Sequence, residues 1–176
     1  MTASGPRSPT AASHVAGIYS DWVNPTNALA SDDSYATTVM VASPSDILRL
    51  GSFGDFGIAA GSTINGLHVE VEGKSLSSTI TMFVNVKVSG ATKGQKSAGF
   101  LTTEAYKNYG GAADVWGQTY AVADFADGTF ELDLQVFSNH TDTLSIDHAR
   151  VTVYYTLPAM PFSKISRVAV RRASYH

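Results

Sequence analysis

Residues 130–137 read FELDLQVF, and residues 144–156 read LSIDHARVTVYYT after a polar turn. In the first stretch every second position from Phe130 to Val136 is apolar, and the positions between them are polar. Successive side chains of a strand point to opposite sides of a sheet, so a period of two is typical of a strand with one buried and one solvated face. We therefore expect antiparallel β-strands at 129–138 and 144–156.

The same period recurs along much of the chain. Further strands are expected at 36–42, 47–53, 64–74 and 79–89, with weaker ones near 100–103 and 166–171. Gly, Pro, Asn, Asp and Ser mark the turns between them. No window combines a helical apolar stripe with caps, and the best helical candidate is a short turn near 120–126. The pattern predicts an all-β protein, an antiparallel β-sandwich with a jelly-roll-like arrangement.

The length of 176 residues fits one domain with extended ends. We expect an N-terminal arm at 1–20, which is rich in Ser, Thr, Ala and Pro, a β-sandwich domain at 21–157 and a basic C-terminal arm at 158–176. The stretch 90–128 is long and weakly patterned. Loops of that length are usually functional or pack on themselves, so we expect one of these roles for it.

Composition excludes several classes of protein. Charged residues make up only 15% of the chain, against about 25% in a typical soluble domain, so the surface tolerates close packing against other chains. There is no cysteine, which excludes a disulfide scaffold and a thiolate metal site. No run of about 20 apolar residues occurs, so we expect no membrane contact through a spanning helix. Without a phosphate-binding loop or a nucleophile elbow, we expect no cofactor and no enzyme activity.

Several short motifs carry a resemblance to a known group of proteins. They read DWVNPTNA at 21–28, SDDSYA at 31–36, LRLGSFGDF at 48–56, AGSTINGLHVEV at 60–71, DVWG at 114–117 and VTVYY at 151–155. In this order and spacing they resemble virion structural proteins of tailed bacteriophages, over roughly 21–156. The resemblance implies a non-enzymatic β-sandwich in the capsid, neck or tail of a virion, with other copies of itself and other virion proteins as partners. It brings no catalytic residues with it.

The first of these motifs also has a physical account. A proline restricts the residue before it, so Asn24-Pro25 favours an extended or turn backbone. Trp22 can hold that turn on the edge of the sandwich by burying a large apolar area. We expect Trp22, Pro25 and Trp116 to be structural anchors.

Positive charge is concentrated at the C-terminus. Residues 158–176 contain four basic and no acidic residues, whereas the rest of the chain has eight basic and 15 acidic residues. We predict that this arm docks on the acidic body of a neighbouring subunit. The subunit-contact residues would be Lys164, Arg167, Val168, Val170, Arg171 and Arg172. DNA contact by the same arm is the less favoured alternative, because the body has no basic stripe interleaved with aromatics.

Exposed aromatic residues leave a second function open. Tyr106, Tyr109 and Phe137 could stack on sugars, or equally fill a subunit interface. The alternative function is therefore a carbohydrate-binding module on a phage fibre or decoration protein. Glu131 and Asp133 share a solvated strand face, where two carboxylates could hydrolyse a glycoside, but a plain solvated face is the commoner outcome.

Histidines raise the question of a metal. His68 and His148 fall on the polar faces of two predicted strands, near Glu70, Glu72 and Asp147. Histidine and carboxylate side chains can ligate zinc when they converge. Since surface histidines on solvated strand faces are more common than metal ligands, we expect no metal here.

Overall fold

Two antiparallel sheets form the protein in the computed structural model, which describes residues 1–77 and 80–159. The strands are β1 Thr2–Arg7, β2 Ala11–Val15, β3 Trp22–Val23, β4 Ala36–Val41, β5 Ile47–Gly51, β6 Thr63–Ser75, β7 Thr81–Val88, β8 Ala91–Gly99, β9 Ala105–Gly111, β10 Phe130–Phe137 and β11 Thr141–Thr156. Sheet A has the order β3-β4-β11-β6-β9, with β1 also paired to β11, and sheet B has the order β2-β5-β10-β7-β8. The prediction of an all-β antiparallel sandwich with a jelly-roll-like arrangement is confirmed.

The two stretches that predicted the fold lie at the centres of the two sheets. Strand β10 is the middle strand of sheet B, and β11 is the middle strand of sheet A. The inward-pointing side chains of both strands are buried, for example Leu132 and Leu134 in sheet B and Val151 and Val153 in sheet A. The core therefore lies between the sheets, and the polar positions of each strand form the two outer faces.

Aromatic rings close one end of the sandwich. The ring of Phe130, at the start of β10, lies 5.4 Å from Phe53, 5.8 Å from Phe56 and 5.5 Å from Phe125, centroid to centroid. Phe125 belongs to a short 3-10 helix, Val122–Phe125, which agrees with the helical turn expected near 120–126. In the described part of the chain no helix has the length and apolarity needed to cross a bilayer.

The N-terminal segment is not a free arm. Strand β1 pairs with β11 in sheet A, and β2 pairs with β5 in sheet B. The expectation of an arm at 1–20 is therefore wrong for this stretch, which joins both sheets. Its small polar residues lack the apolar alternation that marks a central strand. As edge strands they need only backbone hydrogen bonds to one neighbour.

The stretch 90–128 also contains more structure than the sequence predicts. Strands β8 and β9 lie within it, at the same edge of the two sheets, and the weak strand expected near 100–103 is instead the connection between them. Strand β8 is rich in Gly, Ala and Lys, so its sequence gives no strand signal. The expected strand at 166–171 and the six predicted subunit-contact residues lie outside the described residues.

Candidate functional site

Strand alternation produces a polar outer face on sheet B, which we call the B face. Leu48 and Leu134 point into the core, so the residues on either side of them point outward. The outward residues that form the B face are Ile47, Arg49, Phe83, Asn85, Lys87, Gln95, Glu131, Asp133, Gln135 and Phe137. Register places them in rows across the strands, because β10 pairs with both β5 and β7.

An ion pair occupies the centre of the B face. The Arg49 guanidinium donates to both carboxylate oxygens of Asp133, from Nε at 2.7 Å and from Nη2 at 2.9 Å. Lys87 Nζ lies 3.4 Å from Asp133 Oδ2, and Glu131 Oε2 lies 3.9 Å from Arg49 Nε. Hydrogen bonding to Asp133 raises the pKa of Arg49 above its ordinary value. Two positive and two negative groups therefore lie together, and the centre of this face has no net charge.

Side-chain amides continue this row toward the edge of the sheet. Asn85 Nδ2 lies 3.5 Å from the backbone oxygen of Asp133, and Gln95 Nε2 donates to Asn85 Oδ1 at 2.8 Å. On the next row Gln135 Nε2 donates to the Ser45 backbone oxygen at 2.9 Å. These bonds fix the direction in which each amide presents its remaining donors and acceptors.

Two phenylalanines lie next to the polar row. Phe137 is 41% exposed, which is unusual for so large an apolar side chain, and Phe83 is half-buried. Phe83 pairs with Gln135 across the strands, while Phe137 pairs with Thr81. The rings are therefore diagonal neighbours on the same face, close enough for one ligand to contact both.

Two shallow depressions indent the B face along β5. One, of about 150 Å³, is polar and includes Ser13, Arg49 and Glu131. The other, of about 230 Å³, is more apolar and lies between the connection that carries Ile18 and Tyr19 and the side chain of Ile47. Residues 47 and 49, which line the two depressions, are two positions apart on one strand, about 7 Å by strand geometry. The B face therefore offers one polar and one more apolar depression beside β5.

We call the outer face of sheet A over β6, β9 and the adjoining part of β11 the A face, and its own side chains close it. The Tyr106 hydroxyl lies 2.9 Å from His148 Nδ1, and His148 Nε2 lies 2.9 Å from Ser8 Oγ. The guanidinium carbon of Arg150 lies 4.1 Å from the centre of the Tyr106 ring. Burial lowers the pKa of His148. Tyr106 is thus stacked within the protein, and both nitrogens of His148 have protein partners.

The three aromatic candidates from the sequence do not come together. Tyr106 lies on the A face and Phe137 on the B face, on opposite sides of the sandwich. Tyr109 points into the core and is 3% exposed, and burial raises the pKa of its hydroxyl. Tyr109 therefore cannot present its ring to a sugar in this structure, because the strand alternation of β9 turns it inward.

The predicted anchor residues have these surroundings. Trp22 is buried, and its indole Nε1 donates to the Asp46 backbone oxygen at 2.9 Å. Trp116 is buried as well, and its Nε1 donates to the Leu67 backbone oxygen at 2.9 Å. Pro25 is the first residue of the 3-10 helix Pro25–Ala28.

Potential metal ligands converge at two places among the described residues. One group is His14, Asp21 and Asp46, and the other is Asp33, Glu104 and Asp147. Neither contains the pair of histidines considered in the sequence. Sequence reasoning missed the first group because its members lie in three separate segments. The same applies to the Arg49–Asp133 pair, whose partners are 84 positions apart.

No protein-family model and no curated protein sequence matches the chain. Solved structures with a similar arrangement include a CBM4 structure, at 16% identity and a TM-score of 0.45, with 69% of this chain and 85% of that chain covered. The N-terminal cellulose-binding domain of Cellulomonas fimi β-1,4-glucanase C gives 15% identity, a TM-score of 0.41 and coverages of 72% and 83%. The CBM22-1 xylan-binding domain of Paenibacillus barcinonensis Xyn10C gives 10% identity, a TM-score of 0.39 and coverages of 89% and 95%. These likenesses are remote, and they show the fold alone.

Proposed function

We propose that the chain is a non-catalytic carbohydrate-binding module that holds a neutral glycan on the B face. The observation that carries the proposal is the row Arg49–Asp133–Asn85–Gln95 beside the exposed ring of Phe137. A sugar ring has hydroxyl groups around its rim and apolar C–H groups on its faces. A surface that offers fixed donors and acceptors next to an aromatic ring matches both kinds of group.

The charge of the face supports a neutral ligand. Arg49 and Lys87 are balanced by Glu131 and Asp133, so the centre offers no net attraction to an acidic polymer. Both carboxylate oxygens of Asp133 accept hydrogen bonds from Arg49, so neither is free to act on a glycosidic bond. We therefore assign binding rather than hydrolysis to this face.

Binding to soluble polysaccharides tests the proposal. Affinity gel electrophoresis and calorimetry with hydroxyethylcellulose, xylan and galactan should give saturable binding to at least one of them, and polygalacturonate should bind more weakly. Replacing Phe137 or Asn85 with alanine should weaken the best interaction by about tenfold or more. Val41→Ala is the matched control, because Val41 is exposed on the outer side of sheet A.

Two outcomes would overturn the proposal. One is the absence of binding to every glycan on a broad array. The other is binding that Phe137→Ala and Asn85→Ala leave unchanged while the variants stay folded by circular dichroism, since the ligand would then lie elsewhere.

We propose the virion structural subunit as the second candidate, because the outer side of β3 and β4 favours contact with another chain. Val23, Val39 and Val41 are 56%, 53% and 65% exposed on that side. Leu76, which follows β6, is 80% exposed. Its backbone N–H donates to the Thr143 backbone oxygen on β11, the strand that pairs with β4. Exposed aliphatic side chains grouped in this way are typical of protein contact surfaces.

Assembly is tested by mass in solution. Light scattering at low and high salt should show salt-sensitive oligomers of the full chain, and a chain that lacks 158–176 should be smaller. If both are monomers at all salt concentrations, the basic segment does not join copies of this chain.

A further inference from the structure

A histidine and two carboxylates meet at the edge of the sandwich, away from the B face ion pair. His14 is on β2 of sheet B, Asp21 immediately precedes β3 of sheet A, and Asp46 immediately precedes β5. One ligand atom of each lies within 4.8 Å of the other two. Three segments that are remote in sequence therefore bring ligand-type atoms to one point where the two sheets meet.

The distances suit a small tetrahedral ion. His14 Nε2 lies 3.0 Å from Asp46 Oδ2 and 3.6 Å from Asp21 Oδ1. Zinc bonds of about 2.0–2.1 Å place neighbouring tetrahedral ligand atoms about 3.3–3.4 Å apart. These two separations lie on either side of that value, and the third, between the two carboxylate oxygens, is within 4.8 Å, so a movement of the Asp21 side chain would bring all three atoms into coordination.

Asp46 is held in position before any ion arrives. Its side chain is 2% exposed, Oδ2 accepts from the Gly17 N–H at 2.6 Å, and Oδ1 accepts from the Tyr19 N–H at 3.0 Å. A Cβ added at Gly17 would lie 2.6 Å from Asp46 Oδ1, so only glycine permits this approach. Backbone donors that fix a carboxylate in this way are the usual outer support of a metal ligand.

We propose that His14, Asp21 and Asp46 form a zinc site, with His14 Nε2 and one oxygen of each carboxylate as ligands and water in the fourth position. Asp21 is 75% exposed, so its side chain is free to move toward the ion and water can reach it. Occupation would join the edges of both sheets through a single ion.

The ligand set favours zinc over calcium or magnesium. Zinc accepts one imidazole nitrogen and two carboxylate oxygens in a tetrahedral arrangement. Calcium takes about six to eight oxygen ligands, and magnesium prefers octahedral oxygen and water. A site with one nitrogen donor and two carboxylates is therefore better matched to zinc.

Zinc titration of the full-length protein, after chelator treatment and dialysis, tests the site. Calorimetry with zinc chloride should show one site per chain that is tighter than any other, and the midpoint of thermal unfolding should rise with zinc concentration. Calcium and magnesium chloride should produce neither effect at the same concentrations. His14→Gln should weaken the tight site at least tenfold, and Asp21→Asn should weaken it severalfold.

His140→Gln is the matched control, because His140 is an exposed histidine in a turn and should leave the tight site unchanged. If His14→Gln fails to fold, Asp21→Asn decides the question, since its exposed side chain contributes little to stability. Zinc binding that is unchanged in both His14→Gln and Asp21→Asn, or an absence of saturable binding, overturns the proposal. Neither readout involves a glycan, so the result is independent of the function proposed for the B face.

Discussion

On the A face, Arg150 donates to both oxygens of Glu70 at 2.8 Å, and on the B face Arg49 donates to both oxygens of Asp133 at 2.7 and 2.9 Å. Each pair joins a central strand to its neighbour in the sheet. The surroundings differ. Arg150 stacks on Tyr106, whereas Arg49 adjoins a depression of about 150 Å³.

The difference shows that an ion pair alone does not identify a binding surface. On the A face Ser8, His148 and Tyr106 satisfy one another in a continuous chain of contacts. On the B face the side chains around the pair are held in place but still face solvent. The chemistry of the central pair is the same, and only the surface with open neighbours can accept a ligand.

The largest effect should follow from removing the carboxylate on the B face. Asp133→Ala leaves Arg49 and Lys87 without their shared partner in a half-buried position, which should cost about 2–3 kcal/mol of unfolding free energy after allowing for solvent access. Urea unfolding measures the loss. Glu70→Ala is the counterpart on the A face and should cost about 1–2 kcal/mol, since Glu70 is more exposed than Asp133 and Arg150 keeps its contact with Tyr106.

This prediction fails if Glu70→Ala is the more destabilising of the two. Such a result would mean that the closed A face depends more on its ion pair than the B face does. Asp133→Asn serves as the control for shape, because it removes the charge and keeps one oxygen acceptor.

The second effect is a pH dependence that belongs to the A face. Burial lowers the pKa of His148 in the folded protein, so below about 6.5 the unfolded chain binds more protons and stability falls as the pH drops toward the folded pKa. His148→Gln should lose about 1–2 kcal/mol at pH 8 through its two hydrogen bonds and should flatten this part of the pH profile. Urea unfolding at pH 8, 6.5 and 5 gives the unfolding free energy of the wild-type protein and of His148→Gln. An equal change of that free energy with pH in both proteins would contradict the assignment of the pH dependence to His148.

The central strands were predictable and the edge strands were not. The alternation of 129–138 predicted β10 to within one residue at each end, because a strand with one buried face carries its period in its own sequence. Strands β1, β2 and β8 are edge strands of small or polar residues. They are held by backbone hydrogen bonds to remote partners, and local sequence does not encode those partners.

The residues of the candidate site also fall into two groups, those that the local sequence indicates and those that depend on strand pairing. Phe137 could be assigned to a solvated face from the sequence, since it follows Val136 in the alternation of β10. The Arg49–Asp133 pair required the knowledge that β5 and β10 are neighbours, and Tyr109 required the register of β9 on β6. Which residues meet across a sheet depends on the order and register of the strands, and these cannot be read from the local pattern of a single sequence.

A smaller loss of stability is expected when Arg49 or Arg150 is replaced by lysine, and the two variants should differ in glycan affinity. Lysine keeps the charge of arginine but not its paired donors, so Arg49→Lys and Arg150→Lys should each cost about 1 kcal/mol of unfolding free energy. Glycan affinity should fall severalfold for Arg49→Lys and stay unchanged for Arg150→Lys. Equal loss of affinity in both variants would contradict the distinction between an open and a closed face.

The smallest change in stability is expected on the exposed aliphatic surface of sheet A. Val39 and Val41 are 53% and 65% exposed, and threonine has nearly the same shape and suits a strand, so the double change Val39→Thr and Val41→Thr should alter unfolding free energy by less than about 0.5 kcal/mol. Its effect on self-association is the informative measurement. A fall in the mass measured by light scattering, with unfolding unchanged, would show that this surface joins subunits. An unchanged mass in a protein that does form oligomers would place the contact elsewhere and leave the outer side of β4 without a role in assembly.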